Sequence, residues 1–172
     1  MADKKVRGDL IKGYFSSVKK FWGEKGLKKC EEYLGVEEKD LKGSVWYPIK
    51  YHKKMHEFLS NRGEKYVIMA ARHTTQNLGM LAYLVQFVSI KRLLKKAPKS
   101  YYDTFNFGDI EIDIGENSAL VKLDDVMFAE TSCLAWKGAF LGALDATNTK
   151  GTVEIIDHED KGDEDCFIKI EW

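Results

Sequence analysis

The spacing of apolar residues divides the chain into a helical first part and a strand-rich second part. Apolar side chains recur every three or four residues before Pro98 and every second residue over much of the sequence after it. A period near 3.6 predicts amphipathic helices, and a period of two predicts half-buried strands. The sequence therefore predicts one domain over 1–172, with a helical part over 1–98 and a part made of a sheet and a helix over 99–172.

The first two helices are predicted from their apolar stripes and their ends. Asp9 can cap the first helix, and Gly35 suits the left-handed conformation that often follows a helix. A second helix is predicted from about Lys50 to Ser60. The aromatic residues of these stripes are interpreted as core packing.

A third, long helix is predicted from Glu64 to Ala97, with Pro98 marking its end because the residue before a proline avoids the helical region. Between Leu78 and Ile90 this segment is apolar most of the way round. Such a helix is either buried centrally or shared with a partner subunit in a homodimer.

Four strands and one helix are predicted after Pro98. The strands are expected at 109–114, 119–123, 151–157 and 166–172, and the helix follows the second strand with Thr131 or Ser132 as its cap. The predicted fold class is α+β: an N-terminal helical bundle packed on a four-stranded antiparallel sheet, with a β-β-α-β-β C-terminal half.

The predicted helix after Thr131 has one face without bulky side chains. This face consists of Ala135, Gly138, Ala139, Gly142, Ala143 and Ala146. Small residues at this spacing let two backbones approach closely, although glycine costs about 0.5–1 kcal/mol within a helix. The pattern predicts close packing onto the sheet or onto a partner helix, with Trp136 and Phe140 supplying bulk elsewhere.

Composition narrows the class of protein. The 27 basic residues equal the 27 acidic ones, which argues against a dedicated nucleic-acid binder. The sequence starts without the apolar region of a signal peptide, and its longest mostly apolar run is too short to span a bilayer. Three cysteines form no disulfide framework. We therefore expect a cytoplasmic protein without a transmembrane segment, in a reducing environment.

Motifs for catalysis are not found in the sequence. It contains no glycine-rich phosphate signature, no nucleophile elbow and no pair of acid–base groups at a recognisable spacing. The protein is therefore predicted not to be an enzyme.

Two pairs of residues are candidate metal ligands. Cys133 and Cys166 could meet where the helix packs on the sheet, and with His158 or a carboxylate they would form a thiolate site; buried structural cysteine is the alternative. His52 and His56 share a helix face, which could hold zinc or nickel, although the neighbouring lysines indicate an exposed surface.

The C-terminal residues resemble a known family. Cys133 followed by Gly-Ala-Phe-Leu-Gly at 138–142, then Gly-Asp at 162–163 and Cys-Phe-Ile-Lys-Ile at 166–170, is similar to the tail of the 4-vinyl-reductase-type domain. The order of helices followed by strand–strand–helix–strand–strand resembles the ligand-binding fold that this domain shares with TRAPP transport-particle subunits and haem–nitric-oxide-binding domains.

This resemblance implies a dimeric regulatory module that binds a small apolar molecule, a lipid chain or haem between its helices and sheet. The haem branch uses a Tyr-x-Ser-x-Arg clamp and an iron-ligating histidine before the first strand. This sequence lacks the clamp and has Tyr101-Tyr102 in place of the histidine. Haem bound in that manner is therefore not expected.

The leading hypothesis is a non-enzymatic module that binds a hydrophobic small molecule or lipid. The expected ligand-binding residues are His73, Leu84, Phe87, Trp136 and Phe140, with His73 orienting the ligand. Two alternatives remain open. One is a structural homodimer whose pocket is filled by its own side chains, and the other is a haem or metal sensor.

Overall fold

The computed structural model describes residues 3–76, 88–156 and 165–172. In these ranges it contains helices together with a four-stranded antiparallel sheet. The α+β class predicted from the sequence is confirmed. None of the helices within these ranges is long and apolar enough to cross a membrane.

Near the start of the chain a short strand leads into a long helix that is kinked at Gly23. Strand β1 (Lys5–Arg7) pairs antiparallel with β2 (Trp46–Pro48), and helix α1 spans Gly8–Leu34. Asp9 was predicted to cap α1, but the helix already begins at Gly8, so Asp9 lies in its first turn. A carboxylate there interacts favourably with the positive end of the helix dipole. Gly35 ends α1 in the left-handed conformation, with φ 74°.

The long helix predicted from Glu64 to Ala97 is not continuous. Helix α2 spans Lys50–Ser60 as predicted, and α3 spans Lys65–Gln76. A separate helix, α4, spans Ile90–Thr104, and the Ser89 side chain accepts a hydrogen bond from its first turn. The segment 77–87, on which much of the predicted dimer interface falls, lies outside the described residues.

Pro98 lies inside α4, so the predicted helix end at this proline was wrong. An internal proline removes one helical hydrogen bond and costs about 3 kcal/mol. The apolar face of α4 continues across it, because Leu94 and Tyr101 on either side are both buried. Burial of this face offsets the tendency of proline to end a helix, on which the prediction from the sequence was based.

The sheet has the strand order β3-β4-β6-β5, and all of its pairs are antiparallel. Its strands are β3 (Asp109–Ile114), β4 (Ser118–Asp124), β5 (Thr152–Ile156) and β6 (Cys166–Glu171). The last strand along the chain is therefore inserted between the second and third. This central position explains why Cys166, Phe167 and Ile168 are consecutively buried.

Helix α5 (Ser132–Ala146) packs closely against α3 through its small residues. A Cβ atom at Gly142 would lie 2.5 Å from the Arg72 carbonyl oxygen, and one at Gly138 would overlap the carbonyl oxygen of Ile68. The partner of the small-residue face is thus a helix of the same chain. At the end of this contact, Arg72 Nη2 donates a 2.7 Å hydrogen bond to Asp145 Oδ1.

Candidate ligand cavity

A cavity of about 220 Å³ lies among helices α1 to α5 and the start of the sheet. Its wall is mainly apolar, with a few hydroxyl groups and one imidazole. The lining residues are Leu10, Tyr14, His52, Ala71, Thr74, Thr75, Leu93, Leu94, Ala97, Ser100, Tyr101, Thr104, Phe105, Ile110, Phe128, Ala135, Trp136, Ala139, Phe140, Ala143 and Ala146. None of these wall residues is Asp, Glu, Lys or Arg.

Stacked aromatic rings form one side of the cavity. The Trp136 ring lies 5.6 Å from that of Tyr101 and 5.4 Å from that of Phe105, measured between centroids. The Tyr101 hydroxyl donates a 2.6 Å hydrogen bond to the Phe107 carbonyl, which holds this ring in place. Burial raises the pKa of Tyr101, so its phenol stays neutral.

The five predicted ligand-binding residues are distributed unevenly. Trp136 and Phe140, both on α5, line the cavity. His73 is not among the lining residues; its Nδ1 lies 2.9 Å from the Ser17 hydroxyl, on the side of α3 that faces α1. Burial and the charge of Lys20 lower the pKa of His73. Leu84 and Phe87 lie outside the described residues.

The polar groups that do reach the cavity were not predicted. His52 and Tyr14 are both 2% exposed, and both line the wall. The Nδ1 atom of His52 has no hydrogen-bond partner. Burial, followed by the neighbouring His56, lowers the pKa of His52 well below its ordinary value, so its imidazole is neutral.

The interpretation of His52 and His56 as surface residues was wrong. Neighbouring positions on a helix point about 100° apart, so exposed lysines at 53 and 54 do not expose these two rings. His52 and His56 share spacing i, i+3, i+4, i+7 with the buried Met55 and Leu59. That pattern is the sequence signal that could have placed both histidines in the core.

His56 has a different environment from His52. Its Nδ1 lies 3.1 Å from the Thr131 hydroxyl, and it does not line the cavity. Thr131 occupies the N-cap position of α5 as predicted, but its hydroxyl contacts His56 and makes no hydrogen bond to the first turn of the helix. Burial lowers the pKa of His56 to about 3.

The structure brings Cys133 and Cys166 together as a disulfide between the first turn of α5 and the start of β6. Their Cα atoms are 5.7 Å apart, and Cys30 is a free, buried thiol. Among the described residues, no group of three His, Cys, Asp or Glu side chains could hold a metal ion. His158, the third ligand considered from the sequence, lies outside them, so the thiolate metal site stays a prediction.

Comparison of whole structures assigns the fold. An oxygen-binding H-NOX domain related to soluble guanylate cyclases matches with a TM-score of 0.74 at 8% identity, covering 96% of this chain and 94% of that one. The fold is that of an H-NOX domain. An H-NOX protein from S. oneidensis in the Fe(II)NO state matches with a TM-score of 0.70 at 13% identity, covering 96% and 98% of the two chains.

A third match is an unliganded Fe(II) H-NOX variant from K. algicida, with a TM-score of 0.67 at 14% identity over 96% of this chain and 95% of that one. A scan against protein-family models gives no match. A search of curated proteins also gives none. The relation to haem–nitric-oxide-binding domains is thus confirmed as a likeness of fold, whereas the narrower 4-vinyl-reductase-type relation stays a prediction.

The H-NOX fold raises the question of haem, and the wall residues of this chain do not fit that group. Haem has two carboxylates that need cationic or hydrogen-bonding partners, and its iron needs an axial side chain. The described wall residues include neither Lys nor Arg to balance the two carboxylates, and the sequence from 77 to 87 contains no Lys, Arg or His. The misfit therefore lies at the carboxylates, since His52 gives the described wall one neutral imidazole. On α4, the Tyr101 hydroxyl has a raised pKa and donates a hydrogen bond to the Phe107 carbonyl, so it is unsuited to bind iron as a ligand.

Proposed function

We propose that this protein is a non-enzymatic sensor module that binds a small, uncharged, mainly apolar molecule in the cavity. The observation that carries the proposal is the mainly aromatic, aliphatic and alanine wall, whose described residues include a few hydroxyl groups and one imidazole but no charged side chain. Burying apolar ligand surface there contributes about 25 cal/mol per Å². An ionised ligand would lose its hydration without gaining an opposite charge, so ionised molecules are disfavoured.

The cavity volume supports a ligand of about ring size. An apolar protein cavity of about 150 Å³ binds benzene, whereas pockets for drug-sized ligands span about 300–1,000 Å³. The cavity of about 220 Å³ lies between these limits. A lipid chain or a porphyrin would require the surrounding helices to move apart, so a compact molecule is the better match.

The regulatory part of the proposal rests on two supports. The fold is shared with H-NOX domains, whose solved members bind oxygen or nitric oxide. The C-terminal residues resemble the 4-vinyl-reductase-type domain, which implies a homodimeric module that responds to a ligand. A homodimer is therefore part of the proposal, as is the absence of catalysis.

Binding of toluene tests the proposal directly. We expect wild-type protein to bind toluene, as measured by ligand-detected NMR and by an increased unfolding temperature. Ala139→Leu places a larger side chain in the wall and should abolish binding, whereas Ala129→Leu, outside the lining residues, should not. Absence of toluene binding to the wild type would contradict the proposal and favour a structural protein with a filled core.

A haem sensor is the second candidate, since the solved structures with this fold include haem proteins. Titration with haemin separates it from the leading proposal. Because the wall lacks cations and α4 lacks a histidine, we expect no stoichiometric uptake and no sharp Soret band. Stoichiometric uptake with an ordered Soret band would favour the haem sensor instead.

A further inference from the structure

His52 places an unpaired polar atom among the core residues beside the cavity. The residue is 2% exposed and lines the cavity, and its Nδ1, itself closed to solvent, has no hydrogen-bond partner among the described residues. Leaving a buried polar group without a partner costs about 1–3 kcal/mol. A ligand that supplies the missing hydrogen bond would recover part of that free energy, which makes His52 a candidate anchor.

Tyr14 brings a second polar group to the same end of the cavity. Its ring lies edge-on to the His52 imidazole, with 4.8 Å between centroids, and it also lines the cavity. The structure shows no hydrogen bond from the Tyr14 hydroxyl to any described residue. Burial raises the pKa of Tyr14 and lowers that of His52, so both groups are neutral.

Two neutral groups, one phenol and one imidazole, define the chemistry of this end of the cavity. A phenol can donate and accept a hydrogen bond, and a neutral imidazole has one donor and one acceptor nitrogen. Neither group can balance a charge, and no charged residue lines the rest of the wall. The wall chemistry therefore favours an uncharged ligand with one hydrogen-bonding group.

From this geometry we propose that His52 and Tyr14 are the hydrogen-bonding anchor of the cavity, and that its ligand is a small uncharged ring compound carrying one polar group. The inference rests on the proposed function and specifies its ligand class. Trp136, Phe140 and the alanines of α5 would contact the apolar body of the ligand. His52 and Tyr14 would distinguish it from a pure hydrocarbon of the same size.

Indole and indene form a matched pair for the test, since they have nearly the same shape and only indole has an N–H group. Affinities are measured by calorimetry and by the shift of the unfolding temperature. We expect wild-type protein to bind indole about tenfold more tightly than indene, as one well-placed hydrogen bond to a buried group allows. The comparison needs no variant, so it stands even if a core substitution unfolds the protein.

Variants identify the residues that produce the preference. In His52→Phe, indole and indene should bind with about equal affinity, mainly because indole binds more weakly. In Tyr14→Phe, the preference for indole should be only partly lost. His56→Phe is the matched control: it lies on the same helix and is equally buried, but it does not line the cavity, so the preference should persist. Circular dichroism checks that each variant is folded.

The outcomes separate this inference from the proposed function. If indole and indene bind wild-type protein equally well, the anchor is wrong while the apolar cavity remains a binding site. The same conclusion follows if folded His52→Phe keeps the preference of the wild type. If neither compound nor toluene binds, the proposed function itself is wrong.

Discussion

Two buried histidines are the least expected residues of this protein. Nothing in the local sequence around His52 and His56 requires them to be neutral, and two lysines lie between them in the sequence. In the structure they lie edge-on to each other, with 4.6 Å between ring centroids, against Tyr14 and Phe128. Burial removes water from the charged forms, so the pKa of each lies well below the ordinary value.

This arrangement predicts that the protein loses stability in mild acid. An unfolded histidine titrates near pH 6.5, whereas folded His56 titrates at about 3, so between these values the unfolded state binds more protons. Stability is therefore highest above pH 6.5 and falls as the pH decreases towards 3. From pH 7 to pH 5 we expect His56 to lower the free energy of unfolding by about 2 kcal/mol, and His52 to act in the same direction.

Urea unfolding across this pH range measures the effect. His56→Phe removes one of the two titrating groups, so the pH dependence between 7 and 5 should become shallower by about 2 kcal/mol. His73→Gln serves as the comparison, since His73 is only partly buried and has a hydroxyl partner. An unchanged slope in folded His56→Phe would show that His56 does not titrate as its burial implies.

At the scale of elements, the contact between α3 and α5 forms one side of the cavity. Two glycines of α5 face carbonyl oxygens of α3, namely those of Ile68 and Arg72. The cavity alanines Ala135, Ala139 and Ala143 lie on the same helix. The small-residue pattern therefore has two effects, since it lets the backbones approach and leaves volume beside Trp136.

Gly142→Ala is expected to destabilise the protein by about 1–3 kcal/mol, because its Cβ would lie 2.5 Å from a backbone oxygen that cannot move alone. Gly35→Ala is the control: its Cβ would meet nothing within 4 Å, and only the left-handed φ of 74° opposes it, at about 1–2 kcal/mol. Denaturant unfolding compares the two. Toluene affinity should fall in Gly142→Ala and persist in Gly35→Ala.

If Gly142→Ala is as stable as the wild type and binds toluene equally well, then α3 and α5 are not as closely packed as described. A loss of stability without a change in toluene affinity would mean that this contact supports the fold but not the cavity shape. Both changes are expected together, because the same pair of helices forms the close contact and one side of the cavity wall.

At the scale of the whole molecule, the disulfide joins residues that are distant in the sequence. Cys133 and Cys166 are separated by 33 positions, and the bond connects α5 to the central strand β6. Closing a loop of this length reduces the entropy of the unfolded chain, which stabilises the fold by about 3–4 kcal/mol on the loop-entropy estimate. The reducing environment expected from the cysteine count does not favour this pairing.

Thiol counting tests the pairing. Protein purified without reductant and then unfolded should have one reactive thiol per chain, from Cys30. Cys166→Ser should lower the free energy of unfolding of the oxidised protein by about 3–4 kcal/mol and should leave that of the reduced protein much less changed. Three reactive thiols together with a bound metal ion would contradict the disulfide and support the predicted thiolate site.

Local pattern was sufficient for much of the fold. The alternation of apolar and polar residues at 109–114 and the apolar stripe of α2 each depend on one element alone. The sequence therefore predicted these two elements almost to the residue. Pro98 shows where local reasoning fails: its helix-ending tendency is a local term, whereas the burial of Leu94 and Tyr101 depends on distant partners. The same limit applies to the start of a separate helix at Ile90.

The cavity depended on tertiary structure. Trp136 and Phe140 could be proposed for its wall because they are the bulky residues of a small-residue helix. His52 and Tyr14 could not be assigned to it, since only the packing of α1 and α2 in the folded chain places these side chains in the cavity wall. The sequence by itself determined most of the elements and the small-residue face, but not the ends of the helices around Ser89 and Pro98. Tertiary packing decided which side chains share the cavity, because burial and missing hydrogen bonds are properties of neighbours far apart in the chain.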